Sequence, residues 1–267
     1  MKTLIVTLNY KQVEYITRLA ESMVKNLPEQ GWHWIIRDNT PDESVELAMK
    51  KYSDPRITLL RRENTGTFAS QHNELMKEGL FEGYDNICLL NNDTVAVHDF
   101  LTPMVETIKD KTVGVVGARL FYPNKQLQHC GIAISSSSMP FNISSHSASQ
   151  LKIHEGVHMR SRKYIAVTGA CLLIGKADYE QLGGMKDDYP WCFDDVDLCF
   201  RVIKELKKKC IGCANANLIH YENTTTLKNP SELKPSFPVA MKMLKEAHAD
   251  MLDSNWEIYK MDANIYE

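Results

Sequence analysis

Short apolar runs alternate with amphipathic segments along the first part of the chain. Residues 4–8 form a near-continuous apolar run, which is typical of a strand covered on both faces. In residues 13–27 the apolar side chains recur at helical spacing and stop at Pro28, which predicts an amphipathic helix. The same reasoning predicts strands at 34–36, 57–60 and 87–90, and helices at 42–49 and 68–77. This alternation predicts an α/β fold with a mainly parallel sheet and right-handed crossovers.

Polar residues follow these strands at the points where the apolar runs end. Asn9, Asp38, Asn64 and Asp93 all lie at or just past such an end. Ligands of parallel sheets gather at the carboxyl ends of the strands. We therefore expect these four side chains to line one edge of the sheet.

The second half of the chain has a more mixed pattern. The serine-rich residues 135–150 show no period, which predicts a long loop. Residues 195–206 predict an amphipathic helix with acidic residues at its start. Further strands are expected at 113–116, 166–174 and 217–220, a short helix at about 177–182, and a terminal helix at 239–252.

Composition narrows the class of protein. The 267 residues are 43% apolar and 24% charged, as in ordinary globular proteins. The net charge of −3 gives no electrostatic footprint for nucleic acid, so a nucleic acid acceptor is disfavoured. No apolar run approaches the roughly 20 residues of a transmembrane helix, and the first residues do not fit a signal peptide. We therefore expect a cytoplasmic protein that meets any membrane-borne acceptor at the membrane surface.

The seven cysteines also favour a cytoplasmic protein. Their number is odd, and most lie inside apolar runs, which predicts buried reduced thiols and not a disulfide framework. Cys210 and Cys213 form a single C-x-x-C motif without a second pair at zinc-ribbon spacing. We interpret the motif as part of a strand with two buried thiols, the alternative being a metal or redox site.

Three features could carry chemistry. Asn91, Asn92 and Asp93 follow an apolar strand and offer the oxygen ligands that hard divalent cations prefer, although such a sequence also suits a simple turn. Asp194, Asp195 and Asp197 cluster at a helix start. Their mutual repulsion raises at least one pKa, which suits a general base, while helix capping is the alternative role.

The third feature is His220, at the end of a predicted strand. A lone histidine is usually an ordinary core or surface residue. As a metal ligand it would need a carboxylate partner from elsewhere in the fold.

In their order, these motifs resemble those of an inverting family 2 glycosyltransferase with the GT-A fold, close to rhamnosyltransferase-type members. The resemblance runs from Leu4 to about Thr225. It implies a mainly parallel, Rossmann-like central sheet flanked by helices, with a mixed sheet on the acceptor side. It also implies one domain over 1–225, with a nucleotide-binding half (1–98) and an acceptor half (99–225). Residues 226–267 would form a C-terminal lid or helical extension.

The resemblance assigns roles to individual residues. The donor-binding residues would be Thr7, Leu8, Asn9, Asp38, Gly66, Asn73, Asn91 and Asn92. The acceptor-binding residues would be Gly169, Trp191 and Asp194. Asp93 and His220 would hold Mn²⁺ or Mg²⁺ against the donor diphosphate, and Asp195 would be the general base.

Two positions depart from the family pattern. Leu8 stands where an aromatic residue often follows the first threonine, so stacking on the nucleotide base would fall to Tyr10 or be absent. Asn91 replaces the first acid of the family's DXD motif, which leaves Asp93 as the only carboxylate there. Weaker metal binding is expected as a result.

The sequence lacks the motifs of several other classes of nucleotide-binding enzyme. A dehydrogenase needs G-x-G-x-x-G after the first strand, and a P-loop enzyme or a nucleotidyltransferase needs a glycine-rich phosphate loop there; residues 7–10 provide none. The remaining alternative is a degenerate GT-A domain that binds a nucleotide-sugar or glycan without turnover. The donor (a UDP, GDP, dTDP or CDP sugar), the hydroxyl acceptor, whether glycan or other, and the oligomeric state stay open.

Overall fold

The computed structural model describes residues 1–190, 192–222 and 236–259. The strands are β1 (Thr3–Asn9), β2 (Trp32–Asp38), β3 (Ile57–Arg61), β4 (Asn86–Leu90), β5 (Thr94–Ala96), β6 (Val113–Phe121), β7 (Leu127–His129), β8 (Ile132–Ile134), β9 (Pro140–Asn142), β10 (Arg162–Tyr164), β11 (Cys171–Gly175) and β12 (Lys209–His220). The helices are α1 (Val13–Asn26), α2 (Ser44–Met49), α3 (Phe68–Lys77), α4 (Leu101–Ile108), α5 (Ser145–Leu151), α6 (Lys176–Gln181), α7 (Asp194–Glu205) and α8 (Ser236–His248). Short 3₁₀ turns lie at Glu155–His158, Ala249–Met251 and Trp256–Tyr259.

Most strands belong to one mixed sheet with the order β10-β12-β6-β11-β4-β1-β2-β3, which β5 and β7 extend at β12 and β6. The pairs β3–β2, β2–β1 and β1–β4 are parallel, as the alternating strand and helix pattern predicts. In the second half β11 runs antiparallel to both β4 and β6, while β12 is parallel to β6. The predicted parallel sheet with a mixed acceptor side is therefore present.

Helices cover both faces of this sheet because its strands are apolar on both sides. In β1, Leu4 and Val6 join one buried cluster with α3, α6, α7 and α8, whereas Ile5 joins a second cluster with α1, α2 and α4. Successive side chains of a strand point to opposite faces. The near-continuous apolar run of the first strand thus supplies both cores.

The structure corrects the prediction of a long loop at 135–150. Residues 132–134 and 140–142 pair as a separate hairpin, β8–β9, and α5 begins directly after it. A capping box between Ser144 and Ser147 starts α5. The serines that suggested a loop therefore include helix-capping residues, which sequence periodicity does not detect because α5 contributes no fully buried side chain.

Three further predictions can be compared with the described residues. The strand expected at 217–220 is the end of β12, which begins at Lys209 and contains both buried cysteines of the C-x-x-C motif. All seven cysteines are free thiols. No helix in the described ranges combines the length and apolar character that crossing a bilayer requires.

The proposed boundary at 225/226 lies outside the described residues. Beyond it, α8 packs on α7 and buries Ala240, Met241 and Leu244 in the same core cluster. The described part of the C-terminal extension is therefore joined to the main core.

Candidate active site

A chain of amide and carboxylate groups joins the carboxyl ends of β4, β1 and β2. Asn92 Nδ2 donates to Asn9 Oδ1 at 2.8 Å, and Asn9 Nδ2 donates to Asp38 Oδ1 at 3.0 Å. The parallel register places Asn9 directly beside Asp38. Of the four side chains predicted to line this edge, Asn9 and Asp38 are thus directly hydrogen-bonded to each other.

Asp38 is fully buried at this edge. Its Oδ1 also accepts hydrogen bonds from the amide nitrogen and hydroxyl of Thr40, at 3.2 and 2.6 Å. Within the described residues its Oδ2 receives no hydrogen bond. A buried carboxylate oxygen normally has a partner, so this atom retains accepting capacity at the edge.

An open cleft of about 710 Å³ begins at Asn39 and Thr40, which directly follow Asp38 in the chain. It is lined by Tyr10, Asn39, Thr40, Pro41, Arg61, Arg62, Glu63 and Asn64. An aromatic ring, two guanidinium groups and amide groups suit a planar, hydrogen-bonding and partly anionic ligand. Tyr10, which is 42% exposed, is the aromatic residue that the departure at Leu8 left as the stacking candidate.

Asp93 and His220 form a pair at the same edge. His220 Nε2 lies 3.2 Å from Asp93 Oδ1, and both residues are buried. The antiparallel pairing of β5 with β12 sets His220 opposite Thr94, and therefore beside Asp93. The two predicted metal ligands are thus brought together.

Gln128 orients the imidazole of His220. Its Nε2 donates to the His220 carbonyl oxygen at 3.3 Å and to Glu222 Oε2 at 3.0 Å, and both partners can only accept. The amide oxygen of Gln128 therefore faces His220 Nδ1, at 2.7 Å. Nδ1 must carry a proton, which leaves Nε2 directed at the carboxylate of Asp93.

This arrangement fits a divalent cation. An imidazole that donates through Nδ1 turns its other nitrogen toward a second acceptor, Asp93, so the pair needs either a proton or a cation between its acceptor atoms. Among the described residues no cluster of three or more His, Cys, Asp or Glu side chains could hold a metal. Two protein ligands suit Mg²⁺ or Mn²⁺, which complete their coordination with water and substrate phosphates.

Asp195 lies at the start of α7 and is held by backbone donors. Gly169 N donates to Asp195 Oδ2 at 2.7 Å, and Val196 N donates to Asp195 Oδ1 at 2.8 Å. A Cβ atom on Gly169 would lie 3.3 Å from the Cβ of Asp195, so a larger residue would crowd the carboxylate. The predicted acceptor-side Gly169 thus contacts the predicted base directly.

The same turn connects the base to the metal edge. Asn91 N donates to the carbonyl oxygen of Ala170 at 2.9 Å, and Ala170 follows Gly169 in the chain. Cys171 pairs with Leu90 in the antiparallel register of β11 and β4. The Gly169–Ala170 turn is therefore hydrogen-bonded both to Asp195 and to the segment that carries Asp93.

Burial dominates the electrostatics of Asp194 and Asp195. Burial, together with the charge of Asp195, raises the pKa of Asp194 to about 7. Burial also raises the pKa of Asp195, although hydrogen bonds from Gly169, Val196 and Thr168 oppose this rise. A raised pKa makes a carboxylate a stronger base, which suits it to accept a proton.

Asp197 has a different role from its two neighbours. Its Oδ2 accepts from Arg201 Nε at 2.7 Å, and its Oδ1 lies 2.8 Å from His248 Nε2. Arg201 in turn donates to the carbonyl oxygens of Leu182 and Gly184. Hydrogen bonds to His248 and Arg201 outweigh burial and lower the pKa of Asp197. Asp197 therefore connects α7 to α8 and, through Arg201, to the 182–184 turn.

Two side chains that are predicted to bind the donor form hydrogen bonds with other groups of the protein. The buried Thr7 hydroxyl accepts a hydrogen bond from Trp34 Nε1 at 2.9 Å, within the core. Asn73 donates to the Met185 carbonyl oxygen at 2.7 Å, and its oxygen accepts from Met185 N and from the Tyr179 hydroxyl. Both side chains therefore have partners within the protein, and their roles in donor binding stay predictions.

The remaining predicted residues have distinct positions. Gly66 has φ +81°, and a Cβ atom there would lie 2.3 Å from Ser70 Oγ in the capping box of α3, so it shapes that helix start. Leu8 and Asn91 are half-buried at the strand ends. Trp191 lies outside the described residues. Gln128 and His129 were not predicted, because neither belongs to a motif and only the fold brings them beside the site.

Comparison with known proteins agrees with this geometry. The family model described as Glycosyl transferase family 2 matches residues 4–167, more than half of the chain. The chain belongs to glycosyl transferase family 2. As a member of this family it is 29% identical over 220 residues to the uncharacterized protein y4gI of Sinorhizobium fredii (strain NBRC 101917 / NGR234). It is 25% identical over 203 residues to the O-antigen biosynthesis protein RfbC of Myxococcus xanthus.

Both relatives are much longer than the aligned region. The alignments cover 77% and 72% of this chain, but only 23% of y4gI and 15% of RfbC. The chain therefore spans less than a quarter of the length of either relative.

Solved structures confirm the GT-A fold of this glycosyl transferase. The crystal structure of GalNAc-T7 with UDP, GalNAc and Mn²⁺ superposes with a TM-score of 0.64 at 13% identity, over 82% of this chain and 43% of that chain. The mannosyltransferase PcManGT from Pyrobaculum calidifontis, in complex with GDP-Man and Mn²⁺, gives a TM-score of 0.61 at 15% identity, over 84% and 58%. At these identities the likeness concerns the fold alone.

Proposed function

We propose that this glycosyl transferase moves a sugar from a nucleoside diphosphate donor to an acceptor hydroxyl with inversion at the anomeric carbon. The observation that carries the proposal is the joining of three groups at one sheet edge. The Asp93–His220 pair lies 3.2 Å apart, and the Gly169–Ala170 turn links that edge to Asp195. The residues at this edge supply a cation site and a carboxylate base.

Asp93 and His220 would hold Mn²⁺ or Mg²⁺. The bound cation would neutralise the charge that develops on the departing nucleoside diphosphate. Gln128 keeps His220 Nε2 directed at the site, and Asn92 connects this edge to Asn9 and Asp38. Both solved neighbours contain Mn²⁺, which supports a divalent metal without choosing between the two ions.

Asp195 would accept the proton of the acceptor hydroxyl while that oxygen attacks the anomeric carbon. The new glycosidic bond forms as the bond to the donor phosphate oxygen breaks, and the electron pair leaves with the diphosphate. Gly169 N and Val196 N hold the carboxylate in one orientation. Asp194, Gly169 and Trp191 remain the proposed acceptor-side residues.

The cleft that begins at Asn39 and Thr40 would hold the nucleotide base. Tyr10 provides a ring for stacking, and Asp38 Oδ2 provides an acceptor for a base N–H group. The solved neighbours hold UDP and GDP-Man, and a pyrimidine or purine diphosphate sugar is the proposed class of donor here. The proposed acceptor is a glycan or another hydroxyl compound.

A donor hydrolysis and transfer assay tests this function. The purified protein is incubated with UDP, GDP, dTDP and CDP sugars, with Mn²⁺ or with EDTA, and release of the nucleoside diphosphate is measured. Asp195→Asn should lower turnover by roughly 10²–10⁴ while nucleotide still binds. Asp253→Asn, a change of an exposed aspartate, is the control. Full turnover by the Asp195→Asn protein would remove Asp195 as the base.

A binding-only function is the second candidate, because Asn91 replaces an acid in the family's metal motif. Such a domain would bind a nucleotide-sugar but release no nucleoside diphosphate with any donor. The same assay therefore separates the two functions, provided that calorimetry first identifies a donor that binds.

A further inference from the structure

Strand β7 places two consecutive polar side chains beside the two parts of the proposed site. Gln128 faces His220, and its neighbour His129 contacts the turn that holds Asp195. Consecutive side chains of a strand point to opposite faces, so β7 stands between these two contacts. Both side chains are buried, and none of the proposed catalytic steps uses His129.

The hydrogen bonds of His129 define its tautomer. Thr168 N is a backbone donor, and it lies 3.3 Å from His129 Nε2 in hydrogen-bonding geometry. Nε2 must therefore accept, so the ring proton resides on Nδ1, which donates to Asn142 Oδ1 at 2.9 Å. Burial lowers the pKa of His129 to about 4, which keeps the ring in this neutral form at physiological pH.

The turn that His129 holds continues directly to Asp195. Thr168 N donates to His129, and the next amide, Gly169 N, donates to Asp195 Oδ2 at 2.7 Å. Two successive backbone amides of one turn thus donate hydrogen bonds, the first to the imidazole of His129 and the second to the carboxylate of Asp195. A rotation of this turn that broke the first contact would also move the second donor.

We propose that His129 is a positioning residue, whose neutral imidazole, fixed by Asn142, holds the Thr168–Gly169 turn so that Gly169 N–H orients Asp195. The inference rests on the proposed function, because it assigns a role relative to Asp195 as the base. It concerns the efficiency of proton removal from the acceptor. Donor and metal binding depend on other residues of the edge.

Two substitutions separate the hydrogen bond from mere packing. His129→Gln can place an amide oxygen near the position of Nε2, so it can still accept from Thr168 N. His129→Asn is shorter and can replace only the contact with Asn142. We expect the Asn variant to lower kcat about tenfold or more, with donor affinity within about twofold of wild type, because misplacement of a catalytic group acts on turnover. The Gln variant should recover most of this loss.

The pH profile provides a readout that a packing defect would not change. Without the hydrogen bond from Gly169 N–H, the pKa of Asp195 should rise. The acidic limb of the kcat profile should therefore move to higher pH in His129→Asn and stay in place in His129→Gln. The other ionisable groups that act on Asp195 are Asp194, Cys192 and Cys199, and all three are retained in both variants. His146→Asn, at an exposed histidine of α5, is the control and should leave kcat unchanged.

Nitrogen NMR of the histidine side chains tests the geometry independently of activity. The wild-type spectrum should contain the signal of an imidazole that is protonated at Nδ1 and does not titrate between pH 5 and 8. This signal should disappear in both His129 variants, whereas the similar signal of the buried His72 should remain. Equal kcat values for wild type and His129→Asn, or equal losses in the Asn and Gln variants, would overturn the inference while leaving the proposed function intact. A wild-type protein without transfer or hydrolysis would reject the proposed function and this role with it.

Discussion

Three aspartates lie within four positions of α7, and the pKa of one of them is shifted in the opposite direction from those of the other two. Asp194 and Asp195 are half-buried neighbours, and their pKa values are raised. Asp197 contacts Arg201 and His248, and its pKa is lowered. The pattern of acids in the sequence predicted the repulsion within the cluster. It did not identify the aspartate whose pKa is lowered, because the partner of that aspartate, His248, lies 51 residues later in the chain.

Replacement of Asp194 should stabilise the protein at neutral pH. In the folded state Asp194 binds its proton more tightly, so between about pH 3.8 and about pH 7 the native chain holds more protons than the unfolded chain. Stability therefore falls as pH rises through this window. At about 1.4 kcal/mol per pKa unit, the full shift of about three units would correspond to about 4 kcal/mol. Because Asp194 is partly exposed, Asp194→Asn should raise the free energy of unfolding at pH 8 by on the order of 2 kcal/mol. The difference between variant and wild type should vanish near pH 3.5, as measured by urea unfolding.

Replacement of Asp197 should have the opposite effect. Asp197→Asn leaves the buried guanidinium of Arg201 without its carboxylate, and breaking a buried pair in this way costs about 3–5 kcal/mol. Urea unfolding at pH 7 measures this loss. The two substitutions are the same chemical change three positions apart, so equal signs for Asp194→Asn and Asp197→Asn would contradict the assigned surroundings.

At the scale of elements, α8 is a structural part of the core. Leu244 is fully buried in the cluster that also contains Val196, Phe200 and Val202 of α7. Phe200 also packs edge-on against the imidazole of His248, with ring centroids 5.3 Å apart. A helix attached in this way cannot move without disturbing the element that carries Asp195.

Truncation of Leu244 should therefore destabilise the whole protein. Leu244→Ala should lower the free energy of unfolding by about 2–5 kcal/mol, the usual cost of a leucine-sized cavity. Lys242→Ala, at an exposed position of the same helix, should change it by less than about 0.5 kcal/mol. If α8 were a detachable lid, Leu244→Ala would leave the main unfolding transition in place.

At the scale of the whole molecule, metal and nucleotide binding should be coupled. Ligand binding to the native state stabilises it by about 2.7 kcal/mol at a concentration 100 times the Kd. A donor nucleotide with Mn²⁺ should therefore raise the Tm of the wild type and of Asp195→Asn, whereas Asp93→Ala should lose the part of the shift that requires Mn²⁺. A Tm shift in Asp93→Ala that still depends on Mn²⁺ would contradict the metal assignment.

The sequence predicted the parallel half of the sheet well because β1, β2 and β3 are each followed by a helix. Family motifs led to the pairing of Asp93 with His220, while the approach of Asp195 to the same cleft stays a prediction. Spacing alone could not have done so, since His220 reaches Asp93 only through the β5–β12 pairing. The capping serines before α5, the core contacts of Thr7 and Asn73, and the contacts of Gln128 and His129 depend on tertiary neighbours, which a single sequence does not reveal.

The reversed direction of β11 has a consequence for altering this protein. Because β11 runs against β4, its beginning lies at the catalytic rim, while its end at Gly175 pairs with Asn86, at the beginning of β4. The opposite rim is closed by the hydrogen bond of Lys176 N to the carbonyl oxygen of Asp85 and contains the exposed residues Glu82 and Gly83. A fluorophore or a surface tether at position 82 would therefore lie at the opposite end of the strands from the proposed active site. Molecules immobilised through this position would present the proposed active site to solution.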